Sequence, residues 1–245
     1  MKRDILNFLT DTVKNAYLEI KDIEKEVSLK GRKDVVTNCD LLVEKYIINE
    51  INKKYPDIDI LSEEYNSNNE VNDTYFVIDP IDGTINFAYG MNIWAIQVAY
   101  VEKGTIIASC MYFPKLDELY TSLKDEGSYL NGKKIQINNY PGLENSLIAM
   151  SFGKEFDVFY DLFKDVAKKV LRVRDFGAGS FCMAMVACGK LDGYCVLADT
   201  KWDIEPGLIA CSEAGAKVYR DEFCTIVANS DEIIDTILNS IQTII

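Results

Sequence analysis

Ile5, Leu6, Leu9, Val13, Ala16 and Ile20 recur at helical spacing, which predicts an amphipathic helix beginning near Asp4. A second helix is predicted from about Asn38 to Lys54. Its apolar positions are Leu41, Leu42, Ile48 and Ile51, Thr37-x-x-Asp40 reads as a capping box, and it stops before Tyr55-Pro56. Beyond that point the period shortens. Ile58 to Leu61 reads as a strand running into Ser62-Glu63-Glu64, the Asn-rich stretch from Asn66 to Asn72 as a candidate mobile lid, and Tyr75 to Ile78 as an apolar strand. Ile93 to Val101, Thr105 to Phe113 and Glu118 to Leu123 have an antiparallel look, and Asn131-Gly132 marks a hairpin with a type I′ turn.

From Ser146 onwards strand-like and helix-like segments alternate. Strands are expected at Leu147 to Met150, Leu171 to Val173, Tyr194 to Leu197, and near Ala216 and Thr225. Helices are expected near Phe156 to Lys169, near Ser180 to Cys188, from Ile204, and from Asp231 to Ile244. This alternation predicts an α/β lobe following an α+β lobe, with Pro141-Gly142 as the punctuation between residues 1–141 and 142–245.

The 245 residues suffice for one large domain or two closely packed lobes, and no apolar run reaches membrane length, so the cytoplasm is the expected location and no membrane partner is expected. Seven cysteines without a C-x-x-C pair suggest reduced, mostly buried thiols. A net charge of −13 argues against nucleic acid as a partner, because that interaction requires Lys and Arg on phosphates. An anionic ligand would instead require a recruited cation. Histidine is absent from the whole chain, which excludes Ser-His-Asp and Cys-His mechanisms, HExxH zinc sites and phosphohistidine chemistry. None of the cysteines is followed six residues later by Arg, the spacing a Cys-based phosphatase would show.

The stretch Asp79-Pro80-Ile81-Asp82-Gly83-Thr84 carries the most specific chemistry. A strand delivers two carboxylates to a tight Gly turn, the layout of a hard-metal site next to an anion pocket; the plainer alternative is an acidic turn after a strand. Haloacid-dehalogenase-like phosphatases resemble this stretch, but they space their two aspartates one residue closer, so nucleophile and acid would be misplaced here. Ser62-Glu63-Glu64, Asp79 to Phe87, and Trp202-Asp203-x-x-Pro206-Gly207 followed by Glu213-Ala-Gly215 together resemble the inositol monophosphatase family. Lys33-Asp34-Val-Val-Thr-Asn-Cys-Asp40 is similar to its upstream motif. The match covers nearly the whole chain, with its motifs in the family's order.

That resemblance implies a layered αβαβα sandwich, with an N-terminal antiparallel-sheet lobe and a C-terminal α/β lobe. It implies Mg²⁺ as cofactor, two or three ions, with Glu63, Asp79 and the Ile81 carbonyl at one ion and Asp79, Asp82 and Asp203 at a second. It implies catalytic roles for Asp40, Glu63 and Thr84, with Thr84 and Asp40 positioning and deprotonating a metal-activated water. Asp82, Gly83, Thr84, Gly177, Ala178, Gly179, Ser180 and Asp203 would face the substrate. Other readings stay open from the residues alone: Glu63 in a solvated turn, Thr84 as a helix N-cap, Asp40 as only the acidic half of a capping box, Gly177 to Ser180 as a permissive turn, Asp203 as the N-cap of a helix that Pro206 begins, and Trp202 as a packing wedge.

The implied activity is hydrolysis of a small phosphate monoester of the inositol monophosphate kind, with sensitivity to Li⁺ and a homodimer as the expected assembly. Val196 stands seven residues before Asp203, where inositol-selective relatives carry a glutamate, so Asp199 substitutes for it or the pocket accepts another ester. Histidinol phosphate, fructose 1,6-bisphosphate and 3′-phosphoadenosine 5′-phosphate are the alternatives. A second substrate phosphate would want cations, for which Lys133, Lys134, Arg172 and Arg174 are available to gather. A noncatalytic sensor of Mg²⁺ and a polyol phosphate is the alternative of another class.

Overall fold

A computed structural model describes residues 2–30, 35–151 and 156–245. Lys33 and Asp34 of the upstream motif lie outside them. Helices α1 (Lys2–Ile20) and α2 (Asn38–Lys54) flank a short hairpin, β1 (Val27–Leu29) and β2 (Val35–Thr37), which periodicity did not announce. A seven-stranded sheet follows: β3 (Asp59–Ser62), β4 (Tyr75–Asp82), β5 (Ala95–Glu102), β6 (Thr105–Phe113), β7 (Glu118–Leu123), β8 (Gly127–Leu130) and β9 (Lys133–Ile135), in that spatial order. Helix α3 (Thr84–Ala88) sits between β4 and β5. All neighbours are antiparallel except β3 and β4, which run parallel.

The five-stranded sheet is built from β10 (Leu147–Ser151), β11 (Arg172–Arg174), β12 (Gly193–Leu197), β13 (Lys217–Arg220) and β14 (Cys224–Ala228), ordered β11-β10-β12-β14-β13. Helices α4 (Phe156–Ala167), α5 (Gly179–Ala187), α6 (Lys201–Glu213) and α7 (Asp231–Ile244) complete the chain. The buried clusters give the layers. Leu9, Val13, Val43 and Ile47 pack with Phe76, Ile78 and Ile96 on one face of the seven-stranded sheet. Met111, Phe113 and Tyr120 from its other face meet α5, α6 and Tyr194 of the second sheet. Leu162, Val166, Ile233 and Ile237 cover that sheet's far side with Ile148 and Ile226. The order is therefore α1/α2, sheet, α5/α6, sheet, α4/α7: the expected αβαβα sandwich. Helix α5, apolar nearly all round, is the middle layer for that reason.

Helix α2 turns a different face inward from the one its leucines suggest. Leu41 and Leu42 are 37% and 40% exposed, whereas Cys39, Val43, Ile47 and Ile51 form the buried i, i+4 stripe, with Asp40 and Glu44 beside it. The polar pair was the concealed signal. Asn131 and Gly132 both take positive φ, 49° and 75°, as a type I′ turn requires. The Asn-rich segment is tied to β3: Asn72 donates to Asp59 Oδ2 through its backbone N–H (2.9 Å) and Nδ2 (2.7 Å), and Asn69 Nδ2 donates to the Ile60 carbonyl (3.3 Å).

Helices α5 and α6 touch through Gly207. A Cβ built there would lie 2.8 Å from Met183 Cβ, which cannot withdraw without moving the backbone of α5. Gly207→Val is expected to destabilise the fold by about 1–3 kcal/mol through overpacking. Urea denaturation of the purified variant measures it, and an unchanged midpoint would mean the middle layer is looser than this contact implies.

Candidate active site

Asp79 and Asp82 lie three positions apart, and in an unbroken strand their side chains would leave opposite faces. The pairing of β4 with β5 prevents this. Asp79 lies opposite Gln97 and Asp82 opposite Ala95, so one extra residue is inserted in β4 between them. This bulge contains Pro80, which has no N–H to lose from a ladder. Tyr75 and Val77 line the inner side with Asp79, and the bulge turns Ile81 outward into the α1/α2 core while Asp82 joins Asp79 on the inner side. Asp203, in the first turn of α6, completes the group. One carboxylate oxygen from each of Asp79, Asp82 and Asp203 falls within 4.8 Å of the others.

Burial raises the pKa of every carboxyl in this group, and repulsion from neighbouring carboxylates adds to it at Asp79 and Asp203. Asp79 is held well above the ordinary carboxylate range, first by desolvation and then by Glu63, Asp82 and Asp203. Asp203 is pushed up to about 7 and Glu63 to about 8, again chiefly by burial. Glu63, just past the end of β3, also feels Asp203 and is partly offset by Lys30, whose Nζ lies 3.3 Å from Glu63 Oε1 and pairs with Glu64 as well. Asp79 Oδ1 is buried and has no hydrogen-bond partner among the described residues. Clustered carboxylates with an unpartnered oxygen fit a hard divalent cation, which takes oxygen ligands and removes the repulsion.

Gly83, at φ 85°, is the N-cap of α3, and Thr84 is its first helical residue rather than the cap. A Cβ at Gly83 would lie 3.0 Å from Ala178 Cβ and 3.1 Å from the Ile93 carbonyl, so only glycine permits this turn to press against the Gly177-to-Ser180 turn. There the amides are already engaged. Gly179 N–H donates to Asp82 Oδ1 (3.2 Å), Ser180 N–H to Asp82 Oδ2 (2.9 Å), and Ser180 Oγ to the same Oδ2. Asp82 thus supplies the anion at the N-terminus of α5, whose own N-cap, Ala178, has no side-chain acceptor. Burial still outweighs these donors, and the Asp82 pKa is raised. Gly177 N–H donates to Asp175 Oδ1 (3.0 Å).

Asp40 is both cap and neighbour of Thr84. Its Oδ2 accepts from Thr37 N (2.8 Å) while its own N–H donates to Thr37 Oγ1 (3.4 Å), the expected capping box, and Thr37 Oγ1 also donates to Oδ2 (2.5 Å). Its Oδ1 lies 3.3 Å from Thr84 Oγ1, which also donates to the Ile81 carbonyl at 2.9 Å. Desolvation lifts Asp40 to about 6. Asp203 is not an N-cap: α6 begins at Lys201 after the N-cap Thr200, Pro206 lies inside the helix, and Asp203 Oδ2 accepts from Thr200 Oγ1 (2.6 Å). Trp202 packs beside Leu61, Tyr75 and Val77, as a wedge would. Val196 is buried, and Asp199 is ion-paired to Arg220 at 3.0 Å. Lys133 and Lys134 stand on β9 and Arg172 and Arg174 on β11, edge strands of different sheets.

Two buried contacts escaped the sequence. Glu44, on the inner face of α2, accepts from Ser62 Oγ (2.5 Å), Tyr65 N–H (2.7 Å) and Glu64 N–H (2.9 Å), and so holds the turn that carries Glu63. Gln97 in β5 reaches Asp79. Their signals were a charged residue on a helix's buried stripe and an amide within an apolar run.

Residues 1–235 match the model of the inositol monophosphatase family. An inositol monophosphatase of Dictyostelium discoideum is 34% identical over 203 residues, 79% of this chain and 75% of that protein. A Pasteurella multocida protein named Nus factor SuhB is 31% identical over 233 residues, 89% of this chain and 86% of its own. Among solved structures, an IMPase of Thermotoga maritima superposes with a TM-score of 0.86 at 28% identity, covering all of both chains. With a family model spanning nearly its full length, the chain belongs to the inositol monophosphatase family and is by that membership a phosphoric monoester hydrolase.

Proposed function

We propose that the protein hydrolyses a small phosphate monoester, of the inositol monophosphate kind, by Mg²⁺-dependent attack of water. The observation that supports this most is the convergence of Asp79, Asp82 and Asp203 beside the Gly83-Thr84 turn, with Asp79 Oδ1 buried and unpartnered. Glu63, Asp79 and the Ile81 carbonyl would hold one ion, and Asp79, Asp82 and Asp203 a second. Divalent cations bound there would neutralise the ester's oxygens and acidify water.

The remaining work falls to the chain. Thr84 Oγ1 has one proton and two acceptors within reach, Ile81 O and Asp40 Oδ1. Donation to Asp40 leaves the hydroxyl's lone pairs to accept from the attacking water, and Asp40, a stronger base than an exposed aspartate, draws the proton along that path. The backbone N–H groups of Gly83 and Thr84, at the start of α3, grip phosphate oxygens. Asp203 and the Gly177-to-Ser180 turn face the leaving group. Val196 supplies no carboxylate there and Asp199 is taken by Arg220, so selectivity for inositol does not follow, and histidinol phosphate, fructose 1,6-bisphosphate and 3′-phosphoadenosine 5′-phosphate remain substrates to test. Inhibition by Li⁺, residence in the cytoplasm and a homodimer belong to the same proposal. Among the described residues no helix is long and apolar enough to cross a membrane.

Phosphate release from a panel of sugar and polyol phosphates, with and without Mg²⁺, separates an enzyme from a sensor: Mg²⁺-dependent release is expected, and binding without release would favour the sensor. Mg²⁺ at about 100 times its Kd should add about 2.7 kcal/mol of stability, which EDTA removes; an EDTA-insensitive melting temperature and rate would leave the carboxylate cluster without its proposed ion. Solvent oxygen-18 should enter the phosphate in a single turnover, whereas its absence would exclude direct attack by water. Asp40→Asn is expected to lower kcat by about 10²–10⁴ while costing about 0.5–2 kcal/mol of stability. A stability loss with kcat intact would reduce Asp40 to a cap.

A further inference from the structure

Gln97 is a fully buried amide in β5, flanked by Ile96 and Val98, which are equally buried. Its Nε2 lies 3.1 Å from Asp79 Oδ2 and 3.1 Å from the Trp202 carbonyl oxygen. A carboxylate and a carbonyl only accept, so chemistry fixes the amide's orientation with nitrogen towards both. The second contact has a cause in the sequence. Within α6 the carbonyl of Trp202 would accept from the N–H of the residue four positions on, but that residue is Pro206, which has none. Gln97 supplies a donor at that vacancy in the ladder. The amide does so with its own Oε1 buried and without a partner among the described residues, an arrangement that packing alone would not select over an apolar side chain.

We propose that Gln97 is a positioning residue that sets the site's affinity for its divalent cation, an inference that rests on the metal-dependent reading above. One side chain ties Asp79, in the N-terminal sheet, to the residue preceding Asp203, in α6. It thereby fixes two carboxylates from distant parts of the chain relative to each other. By occupying Asp79 Oδ2 it leaves Oδ1, the oxygen without a partner, as the one presented to a cation. Such partners of ligand carboxylates act on metal affinity more than on the contacts made by substrate.

The test uses Gln97→Met, which keeps the side chain's length and loses both donors, with Gln97→Asn, too short to span both acceptors, as the second variant should the first fail to fold. Mg²⁺ binding is measured by titration calorimetry and by the rise in melting temperature on adding Mg²⁺, alongside kinetics in which Mg²⁺ and substrate are varied separately. The expected result is about ten- to a hundred-fold weaker Mg²⁺ binding and a smaller thermal shift, with substrate KM at saturating Mg²⁺ nearly unchanged. A folded variant that binds Mg²⁺ as the wild type does, even with a lower metal-free melting temperature, would make Gln97 a purely structural residue and overturn the assignment. A wild-type protein that itself takes up no Mg²⁺ would overturn the underlying metal-dependent reading, and Gln97's role with it.

Discussion

Negative charge gathered where water is scarce is the constraint to which the rest of this molecule answers. Each carboxyl in the group pays for burial, and repulsion adds to that cost at Asp79, Asp203 and Glu63, so the pKa values of Asp79, Asp82, Asp203 and Glu63 all rise. The fold distributes countermeasures. Asp82 takes two amides and a hydroxyl at the start of α5, Asp203 takes the Thr200 hydroxyl, Glu63 takes the ammonium of Lys30, and Asp79 takes the amide of Gln97. These partners compensate incompletely, and what they leave over is what a cation, bound as proposed, would relieve.

The sequence disclosed this site through spacing that only a bulge makes sensible. Asp79 and Asp82 belong to one motif because Pro80 and Ile81 reset the parity of β4, an effect invisible to a period-two count. The long helices were legible where apolar stripes were pure: α1 and α7 carry theirs on one face. Helix α2 misled because its buried stripe is partly polar. Asp40 and Glu44 face inward for capping and for the 62–65 turn, while Leu41 and Leu42 are left at the surface. The β1–β2 hairpin is three residues per strand with β1 exposed throughout, too short and too polar outside to produce a pattern. The start of α6 was misplaced by reading Pro206 as a first-turn proline, although the helix begins five residues earlier and tolerates it.

That tolerated proline connects architecture with chemistry. A proline inside a helix ordinarily leaves a carbonyl short of a donor, at a cost the fold has no reason to accept in a buried layer. Here the freed acceptor belongs to Trp202, next to Asp203, and faces the strand that pairs with the Asp79 segment. The defect in one element and the buried amide in another are complementary, and each is unfavourable alone.

The same economy governs the capping residues, and it bears on how substitutions at this site are interpreted. Asp40 closes α2 and touches Thr84; Asp82 sits at the start of α5 and belongs to the carboxylate cluster; Gly83 starts α3 and admits Ala178. Helix N-termini offer unpaired N–H groups, so an acidic site built at several of them obtains its scaffold and its electrostatic relief from the same contacts. Loss of activity in any single acidic variant is therefore ambiguous until folding is measured beside it. The ambiguity is least at Gln97, which caps no helix terminus and is not among the proposed ligands, so a change in cation affinity there reports on the geometry of the cluster.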